Sequence, residues 1–342
     1  MVTHLQNCPI CHSNELAVLF KHKFKAPKDN IAGHLSDYNY VSRWILFKEI
    51  LKNQYSEFNF WMTHCQNCDL LFTNPRFTEK EIEIKYNTLS ELNINEKEVL
   101  GDKLNKNYYR IIDLYRFFIT YNLAPDNSEK KILDYGGASG YMLLPYYKTH
   151  KSYVLDYVKW DLPKGINYLG KDLDDLDENE KFDIILLLHT LEHVRKPKKL
   201  LEDISAHLTD NGIIIIQVPL GCFVEWLNLK EPLTHINFFS EKSLYNCVKS
   251  AGLNVSYLKT KIQKFPSWMD IEIQIIATKT KSFISKPLKS IHSTEQQIRR
   301  RYFYYFKYFS TILKDPKFIV LYLKKFLKSV SRFIFSSLLT NS

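Results

Sequence analysis

The chain has 342 residues, 45% of them hydrophobic, enough to bury a core, which excludes a disordered protein. Six cysteines are too few for a secreted disulfide framework, and no apolar run approaches the roughly 18 residues of a membrane-spanning helix. The whole net charge of +10 sits in the tail, where residues 284–342 hold 12 Lys or Arg against Glu295 and Asp315, leaving 35 basic and 35 acidic residues elsewhere.

Met1 to Cys11 has no basic region followed by an apolar core, so no secretory signal is expected and a reducing cytoplasm is. The first segment, 1–80, opens with Cys8-Pro-Ile-Cys11 and returns with Cys65-Gln-Asn-Cys68. Between them lie strand-like runs at Leu16–Phe20 and Phe58–Met62 and a helix over Val41–Leu51. Helical spacing follows from Thr78 to Asn122, a connector assigned to 81–125. Its apolar stripe is Tyr108, Ile111, Ile112, Tyr115 and Phe118. Pro125-Asp126-Asn127-Ser128 breaks it.

Residues 126–283 then alternate strand and helix. Strand-like runs are Lys131–Tyr135, Tyr153–Asp156, Asn167–Leu169, Phe182–Leu188, Gly212–Val218, Val255–Lys259 and Ile271–Thr278. Helices are expected between them, notably Pro197–Leu208, with proline at its first position and Asn211-Gly212 just past its end, and Glu241–Ala251. Such alternation predicts an α/β fold: a mainly parallel, Rossmann-like sheet with helices on both faces.

Chemistry concentrates at Leu133-Asp134-Tyr135-Gly136-Gly137-Ala138-Ser139-Gly140, directly after the first strand of this series. Small residues there permit a tight strand-to-helix turn and close approach of a ligand to the backbone. Asp156 ends the next strand, 20 residues after Gly136, where a carboxylate can accept both hydroxyls of a ribose. A nucleotide-like ligand is expected at this edge.

With LDYGGASG at 133–140, VLDY at 154–157, GKDLDDL at 170–176, FDIILLLHTLEHV at 182–194 and NGIIIIQVP at 211–219, the region 104–280 resembles class I S-adenosylmethionine-dependent methyltransferases. THINFFSEKSL at 234–244 and AGLNV at 251–255 add to the match. The resemblance implies a seven-stranded sheet and S-adenosylmethionine as cofactor. It gives the methionine portion to Asp134 and the backbone of Gly136, Ala138 and Gly140, and the ribose to Asp156. Asp172 and the Leu173 backbone would meet the adenine, and His189 would border cofactor and acceptor. The family's G-x-G-x-G reads Gly136-x-Ala138-x-Gly140 here, and the added methyl is tolerable unless that position needs a positive φ. A bland alternative makes Asp172, Asp174, Asp175 and Asp177 a solvated acidic loop.

Methyl transfer asks a protein mainly to align the acceptor and remove its proton. Histidine suits the second task, with an ordinary pKa of about 6.5. His189, His193 and His235 all fall beyond strand ends, where open α/β sheets place their sites. Glu192 can orient His193 or activate an acceptor. His189, Glu192 and His193 also have the make-up of a divalent-metal set, and packing is the ordinary role of any one histidine.

Two C-x-x-C pairs in a reducing setting supply the four thiolates that structural Zn2+ prefers: Cys8, Cys11, Cys65 and Cys68. The spacer of 53 residues requires an inserted hairpin or helix, and His4, His12 and His64 are near enough to substitute. Cys222 and Cys247 read as inert core residues. CQNCDLLFTNPRFTEKEIEIKY at 65–86 resembles the second knuckle of zinc-bearing methyltransferases, among them bacterial sugar and surface-glycan enzymes. That resemblance implies a small N-terminal zinc-binding domain that helps cover the acceptor pocket, and a small-molecule or glycan acceptor.

In the tail, Ile319, Leu323, Phe326, Leu327, Val330, Phe333, Ile334 and Leu338 recur at helical spacing opposite Lys325, Lys328 and Arg332. Upstream, Arg299–Arg301 precede an aromatic run within a helix over Ser293–Leu313. A basic amphipathic helical tail of this kind suits an anionic membrane surface, which would set the chain at the inner face of a membrane. Packing on the catalytic domain or in a homodimer is the alternative. Nucleic acid is the least expected partner, because the first segment carries no positive excess. The reading is therefore a methyltransferase of surface polysaccharide biosynthesis. An RNA methyltransferase using the tail and a non-enzymatic binding module are its rivals.

Overall fold

The structure, a computed structural model, describes residues 3–92, 100–121, 123, 129–221, 232–264, 269–280, 291–293 and 296, with no side-chain description for 100–108, 262–264 and 269–270. Nearly all of the tail, with both of its expected helices, lies outside the described residues, as do Cys222 and Pro125–Ser128.

The first layer is a four-stranded antiparallel sheet of β1 (Leu16–Lys25), β2 (Glu57–Cys65), β3 (Leu71–Asn74) and the short β9 (Asn237–Phe238), in that spatial order. Between β1 and β2 runs α1 (Tyr38–Trp44), which continues as a wider π-helical turn over Ile45–Ile50. Asp37 starts α1 by accepting the amides of Asn39 and Tyr40, two donors the first turn would otherwise leave unpaired. Val41, Ile45, Leu46 and Phe47 form its buried face against Phe24, Phe60 and Phe77.

The expected connector is two helices, α2 (Glu79–Glu91) and α3 (Leu100–Thr120). A reciprocal capping box between Thr78 and Glu81 fixes the start of α2. On α3 the buried face is Leu114, Phe117 and Phe118, while Tyr115 is 44% exposed. The expected stripe is thus rotated, because Phe117 and Phe118 pack on Tyr257 and Tyr146.

The second sheet has seven strands: β4 (Lys131–Tyr135), β5 (Lys151–Leu155), β6 (Ile166–Gly170), β7 (Phe182–Leu188), β8 (Leu208–Pro219), β10 (Asn254–Lys264) and β11 (Met269–Thr278). Their order is β10-β11-β8-β7-β4-β5-β6, with β4 to β8 parallel and β11 antiparallel between β8 and β10. Alternate residues serve opposite faces. Leu133, Ile185, Leu187, Ile214 and Ile216 join one core with α4 (Pro197–Ala206) and α5 (Glu241–Ser250), and Ile132, Ile184, Leu186, Ile213 and Ile215 join another with α3. On α4, Pro197, Leu200, Leu201 and Ile204 are buried at helical spacing, and Leu201→Ala would cost about 2–5 kcal/mol.

Helices are scarcer between the strands than expected. The β4–β5 connection holds only a 3-10 turn at Tyr141–Leu143, and β6–β7 another at Leu173–Asp175. Pro145 lacks the amide donor that would extend the first, although Leu144 itself keeps helical backbone. The core of the cysteine-bearing layer runs into the face of the large sheet that packs α4 and α5, so Cys65 and Phe72 share one apolar cluster with Ile216 and Leu244.

Candidate active site and four-cysteine cluster

A cavity of about 710 Å³ opens at the carboxyl edge of β4, β5 and β7. Gly136, Ala138, Asp156, Asp172, His189 and His193 are among its lining residues, with Leu173 beside them. Tyr86 from α2 stacks on Tyr157 beyond β5, ring centroids 5.6 Å apart, and both face the cavity.

The turn after β4 is built as its glycines require. Gly136, Ala138 and Gly140 all have positive φ, at 73°, 45° and 69°. Gly137 passes so close to Asp134 that a Cβ would lie 2.6 Å from its Cγ. Ala138 therefore occupies the very backbone region in which its methyl is strained, at a cost of about 1–2 kcal/mol.

Asp134 is 1% exposed and its Oδ2 has no partner. Burial, then the nearby charge of Asp156, push its carboxyl up to about 7. A buried carboxyl lacking a donor beside an open backbone turn fits a ligand that brings a cationic amino group. Asp156 accepts the amides of Ala138 at 2.9 Å and Val158 at 3.0 Å, and the Trp160 indole at 3.3 Å. It thus locks the turn to β5 while lining the cavity. Asp172 accepts the Asp174 amide at 3.0 Å and so starts the turn at Leu173–Asp175.

The histidines divide by environment. His189 lies between two buried carboxylates, its Nδ1 3.3 Å from Glu192 and its Nε2 3.0 Å from Glu272. Burial and Arg110 oppose its charge, but the bonds to Glu192 and Glu272 raise it to about 9. Both glutamates fall to about 2 despite burial, largely because His189 bonds to them. His189 is thus an imidazolium clamp. His193 is the opposite case. Burial outweighs Glu192 and holds its pKa down to about 4. Its Nδ1–H donates to the Thr234 carbonyl at 2.7 Å, which leaves the lone pair on Nε2. His235 lies beside it, ring centroids 4.8 Å apart. Among the described residues, the metal-competent groups gathered here are Glu192, His193 and His235, rather than the alternative set with His189.

Glu272 was missed in the sequence, although a glutamate amid isoleucines of a strand was a usable signal. It also accepts from Gln217 and lies 3.7 Å from Arg110.

Cys8, Cys11, Cys65 and Cys68 converge with all four sulfurs within 4.8 Å of one another. Cys8 and Cys68 are 3.4 Å apart, Cys11 and Cys65 3.5 Å. A tetrahedral Zn–S bond of about 2.3 Å would set these edges near 3.8 Å, so the donor set fits the ion after slight expansion. Burial pushes the Cys65 thiol up to about 11, and the bond to Cys8 followed by burial pushes Cys68 up as well. Four thiolates here need a cation.

A profile of the methyltransferase-domain family matches residues 106–258. The ubiquinone biosynthesis O-methyltransferase of Rickettsia canadensis is 25% identical over 107 residues, a match covering 28% of this chain and 45% of that protein. The chain thus spans less than half of that relative's length. Among solved structures, the chain resembles a Burkholderia thailandensis 1,6-didemethyltoxoflavin-N1-methyltransferase with bound 1,6-didemethyltoxoflavin and S-adenosylhomocysteine (14% identity, TM-score 0.46, covering 64% of this chain and 99% of that one). It also resembles an S-adenosylmethionine-dependent methyltransferase of Methanosarcina mazei (15%, TM-score 0.38, 47% and 96%). The sheet order is that of a Rossmann-like α/β fold, and the methyltransferase-domain match lies within it.

Proposed function

We propose that the chain moves a methyl group from S-adenosylmethionine to a hydroxyl of a small-molecule or glycan acceptor, in the making of a surface polysaccharide. One observation carries this reading: Gly136 and Ala138 of the glycine turn and the Nδ1-bonded His193 line a single cavity. Asp134 would neutralise the methionine ammonium, Asp156 would accept the ribose hydroxyls, and Asp172 with the Leu173 backbone would meet the adenine. The bound cofactor supplies an electrophilic methyl group. His193 accepts the acceptor's proton at Nε2, and Glu192, 3.8 Å away, stabilises the imidazolium that forms. His189, held charged, keeps that glutamate ionised. The O-methyltransferase relative favours oxygen as the acceptor atom. A methyl-transfer assay across sugar-nucleotide and phenolic acceptors tests the substrate class, and transfer to neither group overturns it.

Zinc in the four-cysteine cluster and membrane attachment by the tail complete the proposal. Metal analysis of chelator-free protein should return one zinc per chain, and a value near zero rejects it. The tail's net positive charge supports attraction to anionic lipid, about 1 kcal/mol per basic residue near the surface. Equal sedimentation with neutral and anionic vesicles would contradict this. Among the described residues, no helix is long and apolar enough to cross a membrane.

A further inference from the structure

We infer that Arg76 is the buried counter-charge of the metal-loaded four-cysteine cluster, and the positioning residue through which that cluster holds the loop carrying Glu192 and His193. This rests on the zinc reading above and extends it to the acceptor side of the cavity.

Arg76 is 0% exposed, yet none of its hydrogen bonds goes to a carboxylate. Its Nη1 donates to the Arg195 carbonyl at 2.8 Å, and its Nη2 to the Ile236 carbonyl at 3.1 Å and to Asn237 Oδ1. Its Nε has no partner, and its guanidinium lies over the Phe72 ring at 5.2 Å. A fully buried guanidinium surrounded by neutral acceptors is costly unless an anion compensates it. A divalent ion held by four thiolates is a net anion, and the cluster shares an apolar core with Phe72, over which the guanidinium lies. Burial pulls Arg76 down to about 9, the Cys8 thiolate acts to raise it, and Arg195 acts to lower it.

Hydrogen bonds link the cysteine-bearing segments to their surroundings on both sides. Arg76 exchanges two backbone hydrogen bonds with Thr3, and Asn74 exchanges two with Leu5, so the segment leading to Cys8 is fastened to the one that ends in Arg76. From the second knuckle, Asp69 accepts from Ser240 at the start of α5, and Asn246 donates to the Cys68 carbonyl at 3.4 Å.

On the cavity side, Asn237 receives Arg76 and passes the constraint on. Its Nδ2 donates to the carbonyls of Leu191 at 2.8 Å and Val194 at 2.7 Å. The amides of Ile236 and Asn237 both donate to the Glu192 carbonyl, at 2.9 and 3.0 Å. Arg76 and Asn237 therefore cross-brace residues 191–195 against 236–237; His193 stands on the first segment and His235 immediately precedes the second. Arg76 does not itself line the cavity, although Arg195, whose carbonyl it holds, does.

Chelator competition for zinc and amide exchange, measured on Arg76→Met and Arg76→Lys, test this. Methionine keeps the length and loses the charge, whereas lysine keeps the charge and loses the fork. Arg76→Met should release zinc about tenfold more readily than wild type, the usual effect of removing a partner just outside the metal ligands. Arg76→Lys should stay within about threefold of wild type, and S-adenosylhomocysteine affinity should be unchanged in both. Equal zinc retention by Met, Lys and wild type overturns the inference, and so does equal loss by Met and Lys. Should Arg76→Met fail to fold, wild type stripped of zinc by chelator gives the second reading. Amide exchange at 191–195 should then rise while the 136–140 turn stays protected, and unchanged exchange at 191–195 overturns the inference. Zinc-free wild type as purified would instead sink the zinc reading, a result distinct from both.

Discussion

His193 donates its Nδ1 proton to the carbonyl of Thr234 at 2.7 Å, and this one bond decides which nitrogen can take a proton from an acceptor. His193→Gln should lower turnover by about 10²–10⁴-fold while leaving S-adenosylhomocysteine affinity intact. Because burial holds the ring down to about 4, its lone pair is present across the neutral range and is lost only below that value. The acid limb of kcat/KM should therefore fall near pH 4 rather than at histidine's ordinary value. Full activity in His193→Gln would transfer the role to His235 or to water.

His189 offers a stability test of opposite sign. Its pKa is raised in the folded chain to about 9, so its contribution is complete below about 6.5 and is lost as pH rises through 9. Glu192 and Glu272, lowered to about 2, contribute above their ordinary value and lose that contribution as pH falls through 2. The trio stabilises most between about pH 5 and 6.5. The advantage of wild type over His189→Gln in denaturant melts should shrink by the order of 3 kcal/mol between pH 6 and pH 9.5. A constant difference would mean the ring is neutral.

Ala138 gives a test of backbone strain. With φ at 45°, it should prefer glycine, and Ala138→Gly should stabilise the chain by about 1 kcal/mol without weakening cofactor binding. Destabilisation on that change would show that the methyl packs usefully in the turn.

Much of this arrangement was legible in the sequence because it is local. Asp134, the glycine turn and Asp156 follow from strand ends and spacing, and the cysteine pairs announce their own convergence. The long-range partners were not legible. Nothing local says that Glu272, 83 residues on, will meet His189, or that Arg76 will reach Asn237 across 161 positions. The β9–β3 pairing that joins the two layers involves two residues of β9, too short to leave a period-2 pattern. The connector misled for a related reason. Helical spacing identifies apolar stripes, but which stripe is buried on α3 depends on Tyr146 and Tyr257, which arrive from elsewhere in the chain.

The central claim, that this cavity holds S-adenosylmethionine, is tested most directly by calorimetric titration of the purified chain with S-adenosylhomocysteine. One site per chain is expected in wild type. Gly136→Arg should abolish binding, because a side chain at that positive φ is strained and its Cβ already meets Thr190 at 3.1 Å. Asp156→Ala should weaken binding by about 1.5–3 kcal/mol, the usual worth of hydrogen bonds to a charged group. No heat of binding in wild type, from protein shown to be folded, would contradict the account.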